Sequence, residues 1–508
     1  MKREKIWNVI LIVTFALQML VEAITVGVIL RLNMLPTAYC LVLVSVMAVF
    51  GLTVGLLMFL HRKEKAVGMV RRIIACVLAA LIIFGCGAVC KVVCDIYQTI
   101  DHITTPSEPS VTRSIFIRSD DPAKELADAA EYRFAAVENF DPDGTHQAVG
   151  VLEQAFGKRV AVAYYASISE LVDALYCADA DAIILNGAYV EMLEETQEYA
   201  DFSQKTKLLY DVPIEGWTPP SQSAGTDEST SQAPAEPDIT QKPFVLYIAG
   251  SDSDKSYIPT LTRYDVNILV VVNPATKQVL LLNTPRDYYV KNPAGDGARD
   301  KLTHCGNFGI DCAVQAMEEL YGFEIDYYAR INFGGVEALI DAVGGVTVVS
   351  EVDFTGYLGT KFVKGENHLN GLQTLEFVRE RRELPGGDND RGKNQMKVIK
   401  ALIEKVTSGT ALISGYAQIL DALGKMFETS MDLEDISELV KMQLTDMASW
   451  NVQSYAVTGK GGSEVTYSWA GKQLYVMYVD EAHVAYAGGL VQRVMEGQIL
   501  TKEDLSGK

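Results

Sequence analysis

Three apolar stretches close together near the N-terminus, at about 6–30, 37–60 and 73–93, constrain this chain more than anything that follows them. Each is close to the ~20 residues that cross a bilayer as a helix, whereas a cleaved leader would show one shorter stretch. The expectation is a membrane anchor of three transmembrane helices over 1–104. Lys2, Arg3 and Lys5 precede the first stretch, and Arg62, Lys63, Lys65, Arg71 and Arg72 lie between the second and third. Basic flanks remain on the cytoplasmic side, so the N-terminus is expected in the cytoplasm and everything beyond about 97 outside the cell.

Charge separates the two parts. Residues 1–104 carry ten Lys/Arg and five Asp/Glu, net +5, and the whole chain carries 44 against 65, net −21, leaving −26 for the exterior. A chain so acidic is a poor match for a nucleic-acid backbone, which is met by Lys and Arg. Any polyanion must therefore meet a local basic site. Glu22 lies in the first span and reads as a carboxylate facing neighbouring helices. Of eight cysteines, Cys40, Cys76, Cys86, Cys90 and Cys94 lie in or beside the spans, where Cys serves as a small apolar residue. Cys177, Cys305 and Cys312 lie outside with no metal-binding spacing. The last two either bridge or stay as free thiols.

The exterior divides at 219–241, PPSQSAGTDESTSQAPAEPDITQ, which offers almost no apolar residue to bury and reads as a disordered linker. Before it, 105–218 is expected to form a small extracellular α/β accessory domain. The strand candidates there are 114–117, 159–164 and 182–185, with a helix at 171–176 started by a Ser167/Glu170 capping box. The segment loosely resembles half of a periplasmic solute-binding fold.

After the linker, 244–249, 266–272 and 278–282 are nearly uninterrupted apolar runs, the mark of strands buried at a sheet centre. Asn273-Pro274-Ala275-Thr276-Lys277 joins the last two as a turn. Helical periods at 310–321, closed by Gly322, and at 336–343, closed by Gly344-Gly345, alternate with strand candidates at 327–331 and 346–352. A further helix covers 391–406, and strand candidates at 452–456 and 473–479 continue without a linker. Alternation of this kind predicts an α/β domain over 242–508, its central sheet covered by helices.

Nucleophilic-serine, phosphate-loop and zinc-helix motifs are absent from the sequence. Charged residues instead gather at strand ends, where α/β sheets place ligands. Asp252 follows the first strand, Arg263 and Asp265 precede the second, and Arg286 and Asp287 follow the third. A rim of ion pairs would look the same. A second cluster, Arg379, Arg381, Arg382 and Arg391 within thirteen residues, shifts the balance. Four guanidinium groups repel one another, and their forks match phosphate oxygens. Asp252 and Asp265 add the hard oxygen ligands that Mg²⁺ takes beside a phosphate. The residues together read as a site for a metal pyrophosphate.

Seven motifs in order carry a resemblance: LYIAGSD (246–252), RYDVNILVVVNP (263–274), NTPRD (283–287), KLTHC (301–305), INFGGVEALIDAVGGVTV (331–348), HLNGLQTLEFVRER (368–381) and DNDRGKNQ (388–395). They resemble the LytR-CpsA-Psr cell-wall glycopolymer ligases, over a core of 244–406. The resemblance implies Mg²⁺ on Asp252 and Asp265, and pyrophosphate contacts from Arg263, Arg286, Arg379, Arg381 and Arg391. It also implies Asp388 as general base, with Lys301 and Gln395 in the binding set. Asn394 stands where the family usually has Arg, and Val266 where Thr is common.

Such enzymes transfer a glycopolymer from an undecaprenyl-pyrophosphate carrier to a peptidoglycan hydroxyl. The chain is accordingly expected to be a Mg-dependent phosphotransferase of a Gram-positive type envelope. Its polymer would be a teichoic acid, capsule or another anionic glycan. An apolar slot for the lipid is expected between the sheet and the helices after Asn307 and Phe333. Two rival readings share these residues: a non-catalytic sensor that holds a lipid carrier, and a lipid pyrophosphatase.

Overall fold

The computed structural model describes residues 2–59, 65–104, 111–137, 142–214, 238–251, 253, 257–295, 297–408, 418–419 and 424–505. Three helices, α1 (Lys2–Leu32), α2 (Thr37–Phe59) and α3 (Lys65–Thr104), form the N-terminal bundle. Their segments Trp7–Arg31, Thr37–Phe59 and Met69–Thr104 are long and apolar enough to cross a membrane, and large apolar side chains such as Leu52 and Phe84 face outward. The chain is membrane-anchored. Glu22 is buried and accepts a hydrogen bond from Gln18 Nε2 at 2.8 Å, as befits a carboxylate facing its own bundle. The third helix outruns the expected 73–93 because Ile100 and Ile103 bury against Met34, Phe427 and Leu433, so its last turns belong to the packing of the C-terminal unit.

The accessory unit comprises β1 (Val111–Arg118), β2 (Phe134–Val137), α4 (Pro142–Phe156), β3 (Val162–Tyr165), α5 (Ile168–Tyr176), β4 (Ala182–Leu185), α6 (Tyr189–Glu195) and β5 (Thr206–Ile214). Its sheet runs β3-β2-β4-β1-β5, with β2 parallel to β3 and β4, and β1 antiparallel to β4 and β5. The anticipated strand–helix–strand unit is present as β3–α5–β4, with the unanticipated β2 between its strands. Ser167 caps α5 by accepting from the Glu170 N–H, but Glu170 reaches back to the Ala166 N–H and not to Ser167. The cap is therefore half of the expected box.

Residues 219–237 of the expected linker lie outside the described residues. Ile239, within the same stretch, is buried against Phe244 and Met431, so folded structure begins before 242. The second exterior unit begins with β6 (Phe244–Ser251), β7 (Val266–Asn273), β8 (Gln278–Asn283), α7 (Ile310–Tyr321), β9 (Tyr327–Asn332), α8 (Phe333–Ala342), β10 (Val346–Ser350) and β11 (Gly365–Leu369). It continues with α9 (Gly371–Arg379), α10 (Asp388–Thr407), β12 (Phe427–Thr429), α11 (Leu433–Asp446), β13 (Asn451–Ala456), β14 (Gly459–Thr466), β15 (Trp469–Val479) and α12 (Glu481–Met495).

The central sheet runs β12-β9-β6-β7-β8-β13. β9 is parallel to β6 and β13 to β8, and the other pairs are antiparallel. Successive strand residues face opposite sides. Leu269, Val271, Leu280 and Leu282 bury under α7 and α12, while Ile268, Val270, Val279 and Leu281 meet Met396 of α10. Both faces are covered, which is why these strands read as unbroken apolar runs.

Two expected strands lie elsewhere. The 346–352 candidate is β10, paired with β11 in a separate two-stranded sheet. The 473–479 candidate belongs to β15, which pairs with β14 as a long hairpin. Its end projects into the accessory unit, where Trp469, 1% exposed, completes a core with Leu171, Leu175, Tyr199 and Phe202. Lys472 forms an ion pair with Glu198, and Asn307 Nδ2 donates to Met192 Sδ at 3.0 Å. The accessory and C-terminal units thus share buried surface that composition did not reveal.

Candidate functional site

The sheet's antiparallel turnarounds bring three motifs to one rim. β6 ends at Ser251, and β7 leaves from Asp265, whose N–H donates to Gly250 O at 2.8 Å. β8 delivers Asn283 to the same end, because Ile268 of β7 pairs with Asn283. The N-terminal turn of α10 then packs over β8: a Cβ on Gly392 would run into the buried Asn283 amide.

Asp265 lies at the centre. Arg286 Nη1 donates to its Oδ2 at 2.6 Å and Thr303 Oγ1 to its Oδ1 at 3.2 Å. Burial alone would raise the pKa of this carboxyl. Arg286, then Arg263 and Arg391, outweigh that effect and hold it well below the usual carboxylate range. The structure thus brings together Asp265, Arg263, Arg286 and Arg391, four of the residues singled out in the sequence. Lys301 joins them through Asp287: its Nζ lies 3.1 Å from Asp287 Oδ1, and Arg286 Nε lies 3.8 Å from Asp287 Oδ2. Arg263, Arg286, Lys301 and Arg391 are all buried.

Asp388 opens α10 and forms an ion pair with Arg391 at 2.7 Å. The Tyr475 hydroxyl is pushed up by partial burial and by Asp287 and Asp388, and the Met477 N–H of the same hairpin donates to Asp287 O at 2.7 Å. Gln395 and Asn394 are buried and turn their amides onto α9, with Gln395 Nε2 on Val378 O at 3.4 Å and Asn394 Nδ2 on Phe377 O at 3.5 Å. Their visible work is to tie α10 to the end of α9.

Arg379, Arg381 and Arg382 are exposed. Glu380 is buried, and its Oε1 accepts the N–H groups of Arg381, Arg382 and Glu383 at 2.9, 2.7 and 3.0 Å, fixing the turn that carries them. Arg379 lies 4.2 Å from the Phe333 ring centroid and 5.3 Å from that of Tyr357. Phe333 follows Asn332, which pairs with Ser251, so Arg379 stands above the same rim. Sequence reasoning missed Thr303, Phe333 and Tyr357 as neighbours of the charged groups. Thr303 sits inside the KLTHC motif and could have been found there, whereas nothing in the sequence marked Tyr357.

Asp252 lies outside the described residues, and among the described residues no group of three His, Cys, Asp or Glu could hold a metal. Asp265 supplies a nearly buried carboxylate, its side chain 10% exposed, that stays ionised. That is compatible with Mg²⁺, which binds through one or two carboxylates when phosphate oxygens complete its shell. Cys305 and Cys312 are buried free thiols. Hydrogen bonding to Cys312, then burial, pushes the Cys305 thiol well above its ordinary range. Apart from the rim, a cavity of about 1210 Å³ opens between α7 and α12, with Val245, Leu320, Val484 and Val491 among its walls. α7 is the helix expected to border an apolar slot, but its partner wall is α12 and not α8.

Comparison with known proteins falls on this half of the chain. The polyisoprenyl-teichoic acid–peptidoglycan teichoic acid transferase TagU of Enterococcus faecalis is 34% identical over 200 residues, 39% of this chain and 65% of that protein. The protein of the same name from Oceanobacillus iheyensis is 37% identical over 211 residues, 40% of this chain and 63% of that protein. The chain therefore spans less than two thirds of the length of these curated relatives. The crystal structure of B. subtilis TagV aligns at 25% identity and a TM-score of 0.42, covering 51% of this chain and 99% of that one. The LytR_cpsA_psr family model matches residues 219–484, more than half of the chain, and the chain belongs to that family.

Proposed function

We propose that this chain is a membrane-anchored phosphotransferase that moves an anionic glycopolymer from a polyprenyl-pyrophosphate carrier to a hydroxyl of peptidoglycan. The observation that carries the reading is Asp265, its side chain 10% exposed, among Arg263, Arg286 and Arg391, with Lys301 and the exposed Arg379 on the same rim. Arg263, Arg286, Lys301, Arg391 and Arg379 outnumber the carboxylates of Asp265, Asp287 and Asp388 there, which leaves positive charge for a ligand to neutralise, and guanidinium forks suit phosphate oxygens. The names of the relatives, which specify polyisoprenyl-teichoic acid and peptidoglycan, support the donor and acceptor classes.

Phosphoryl transfer asks a protein mainly for positioning and charge neutralisation. The acceptor hydroxyl attacks the phosphorus that carries the polymer. Its P–O bond to the lipid phosphate breaks, and the lipid phosphate leaves. Asp388 takes the hydroxyl proton, and Arg286 and Arg391 meet the charge that grows on the phosphoryl oxygens. Mg²⁺, held by Asp265 and Asp252, would neutralise further phosphate charge. The cavity between α7 and α12 offers apolar walls for part of the prenyl chain.

The test is to incubate the purified full chain with a labelled lipid-linked polymer and Mg²⁺, with and without peptidoglycan. Label appearing on peptidoglycan supports transfer. Release of polymer phosphate without an acceptor would mark a lipid pyrophosphatase, and binding without turnover a sensor.

A further inference from the structure

We propose that the turn at 356–359 is a membrane-contacting element that seats Tyr357 and Leu358 among the lipid headgroups beside the anchor. Both side chains project into solvent, Tyr357 53% and Leu358 58% exposed. Single apolar residues on a surface need no explanation, but adjacent ones held rigidly at a turn do.

The rigidity comes from beneath. Glu376 is 1% exposed, and its Oε1 accepts the Leu358 N–H at 2.7 Å and the Thr360 N–H at 3.4 Å, while Thr360 Oγ1 donates to Oε2. The turn closes on itself through Gly356 N–H to Thr360 O at 2.8 Å and Gly359 N–H to Gly356 O at 2.9 Å. Gly359 has φ +95°, a conformation that suits glycine. Burying a carboxylate is costly unless its oxygens are satisfied. Here they are satisfied by the turn, which fixes an apolar pair pointing outward.

Position supplies the partner. Arg31 stacks on Tyr97 with 5.9 Å to the ring centroid, an Arg–Tyr pair of the kind that marks the end of a span. One turn further along α3, Ile100 and Ile103 meet Phe427 and Leu433, so the exterior domain rests directly on the anchor. The turn Gly424–Met426 also packs on α3, and Met426 Sδ lies against Gly334. Phe333, the preceding residue, carries the Arg379 guanidinium, and Arg379 carries Tyr357. Met426, Gly334, Phe333 and Arg379 therefore link the anchor to the turn. Exposed Lys361 and Lys364 follow it closely in the chain and suit anionic headgroups.

The contact does not depend on what the arginines transfer, and neither does its test. Tyr357→Trp and Leu358→Trp are made separately in the full chain and placed in phosphatidylglycerol–phosphatidylethanolamine vesicles, with lipids brominated near the glycerol end. Emission of the parent's four tryptophans is subtracted. The added Trp should be blue-shifted and quenched about two-fold or more at either position, as for a side chain at headgroup depth. Tyr164→Trp, on the exposed accessory sheet, should be unquenched. The proposal is overturned if neither added Trp is quenched, or if the Tyr164→Trp control is quenched equally. Emission insensitive to bromine but shifted by soluble muropeptides would also overturn it, making the turn a sugar-stacking platform.

Discussion

Arg286 Nη1 and Asp265 Oδ2 lie 2.6 Å apart with side chains only 7% and 10% exposed, a buried ion pair spanning the start of β7 and the loop after β8. A pair like this is a weak source of net stability, since both charges leave water. Removing one partner is expensive, because the other stays buried and uncompensated. Arg286→Ala should cost about 3–5 kcal/mol, read as a lowered denaturation midpoint in the purified chain. The pH dependence follows from the direction of the Asp265 shift. Its folded pKa lies below the ordinary value of about 3.9, so the stabilisation is full above that value and is lost only as pH falls through the depressed folded pKa. The parent's advantage over Asp265→Asn should therefore be constant from about pH 5 to 8 and shrink only in strong acid. A loss centred near neutrality would contradict the assignment.

Arg379 and Arg381 test the chemistry without that complication, since both are exposed and no core packing depends on their charge. Arg379→Ala should lower polymer transfer by ~10-fold to 1,000-fold, the range for one positioned charge donor, with little change in melting. Arg381→Ala should fall in the same direction. Arg382→Ala, on the same Glu380-fixed turn but matching no expected phosphate contact, should transfer within about two-fold of the parent. If Arg382→Ala is the crippled variant, the cage has been placed on the wrong residues.

Much of this site was legible because its residues sit in contiguous motifs at the ends of apolar strands. Arg263, Asp265 and Arg286 needed only the rule that antiparallel neighbours turn at a common rim. What escaped depends on contacts distant in sequence. Phe333 and Tyr357 sandwich Arg379 through folding of the 346–379 region, which has no local signature. Trp469 lies just before the expected 473–479 strand, and nothing local marks it as a residue that buries in the other unit. Gln395 looked like a ligand contact by resemblance, whereas its amide is turned onto Val378 O.

Trp469 makes the coupling of the accessory and C-terminal units measurable. The hairpin that carries it also carries Met477, whose N–H donates to Asp287 O at 2.7 Å, so one element touches both the accessory core and the candidate site. Truncating a buried Trp costs about 3–5 kcal/mol. Trp469→Ala should therefore destabilise the accessory unit selectively, giving two separated melting steps and early proteolysis between 111 and 214. A single, equally lowered transition would show that the units do not separate at this contact.

Gly392 offers the last test, because its missing side chain is what lets α10 approach β8. A Cβ there would collide with the Asn283 amide, and Asn283 is 5% exposed, with little room to yield. Overpacking of this kind costs about 1–3 kcal/mol. The displacement falls on the turn that carries Asp388 and Arg391, and an error of about 1 Å in positioning can cost ~100-fold in rate. Gly392→Ala should therefore reduce transfer far more than its modest loss of stability suggests. The collision predicts its own remedy: adding Asn283→Ala should relieve the overlap and recover most of the melting temperature and part of the transfer rate. If the double variant melts no higher than Gly392→Ala alone, steric exclusion at Asn283 is not the reason for glycine at this position.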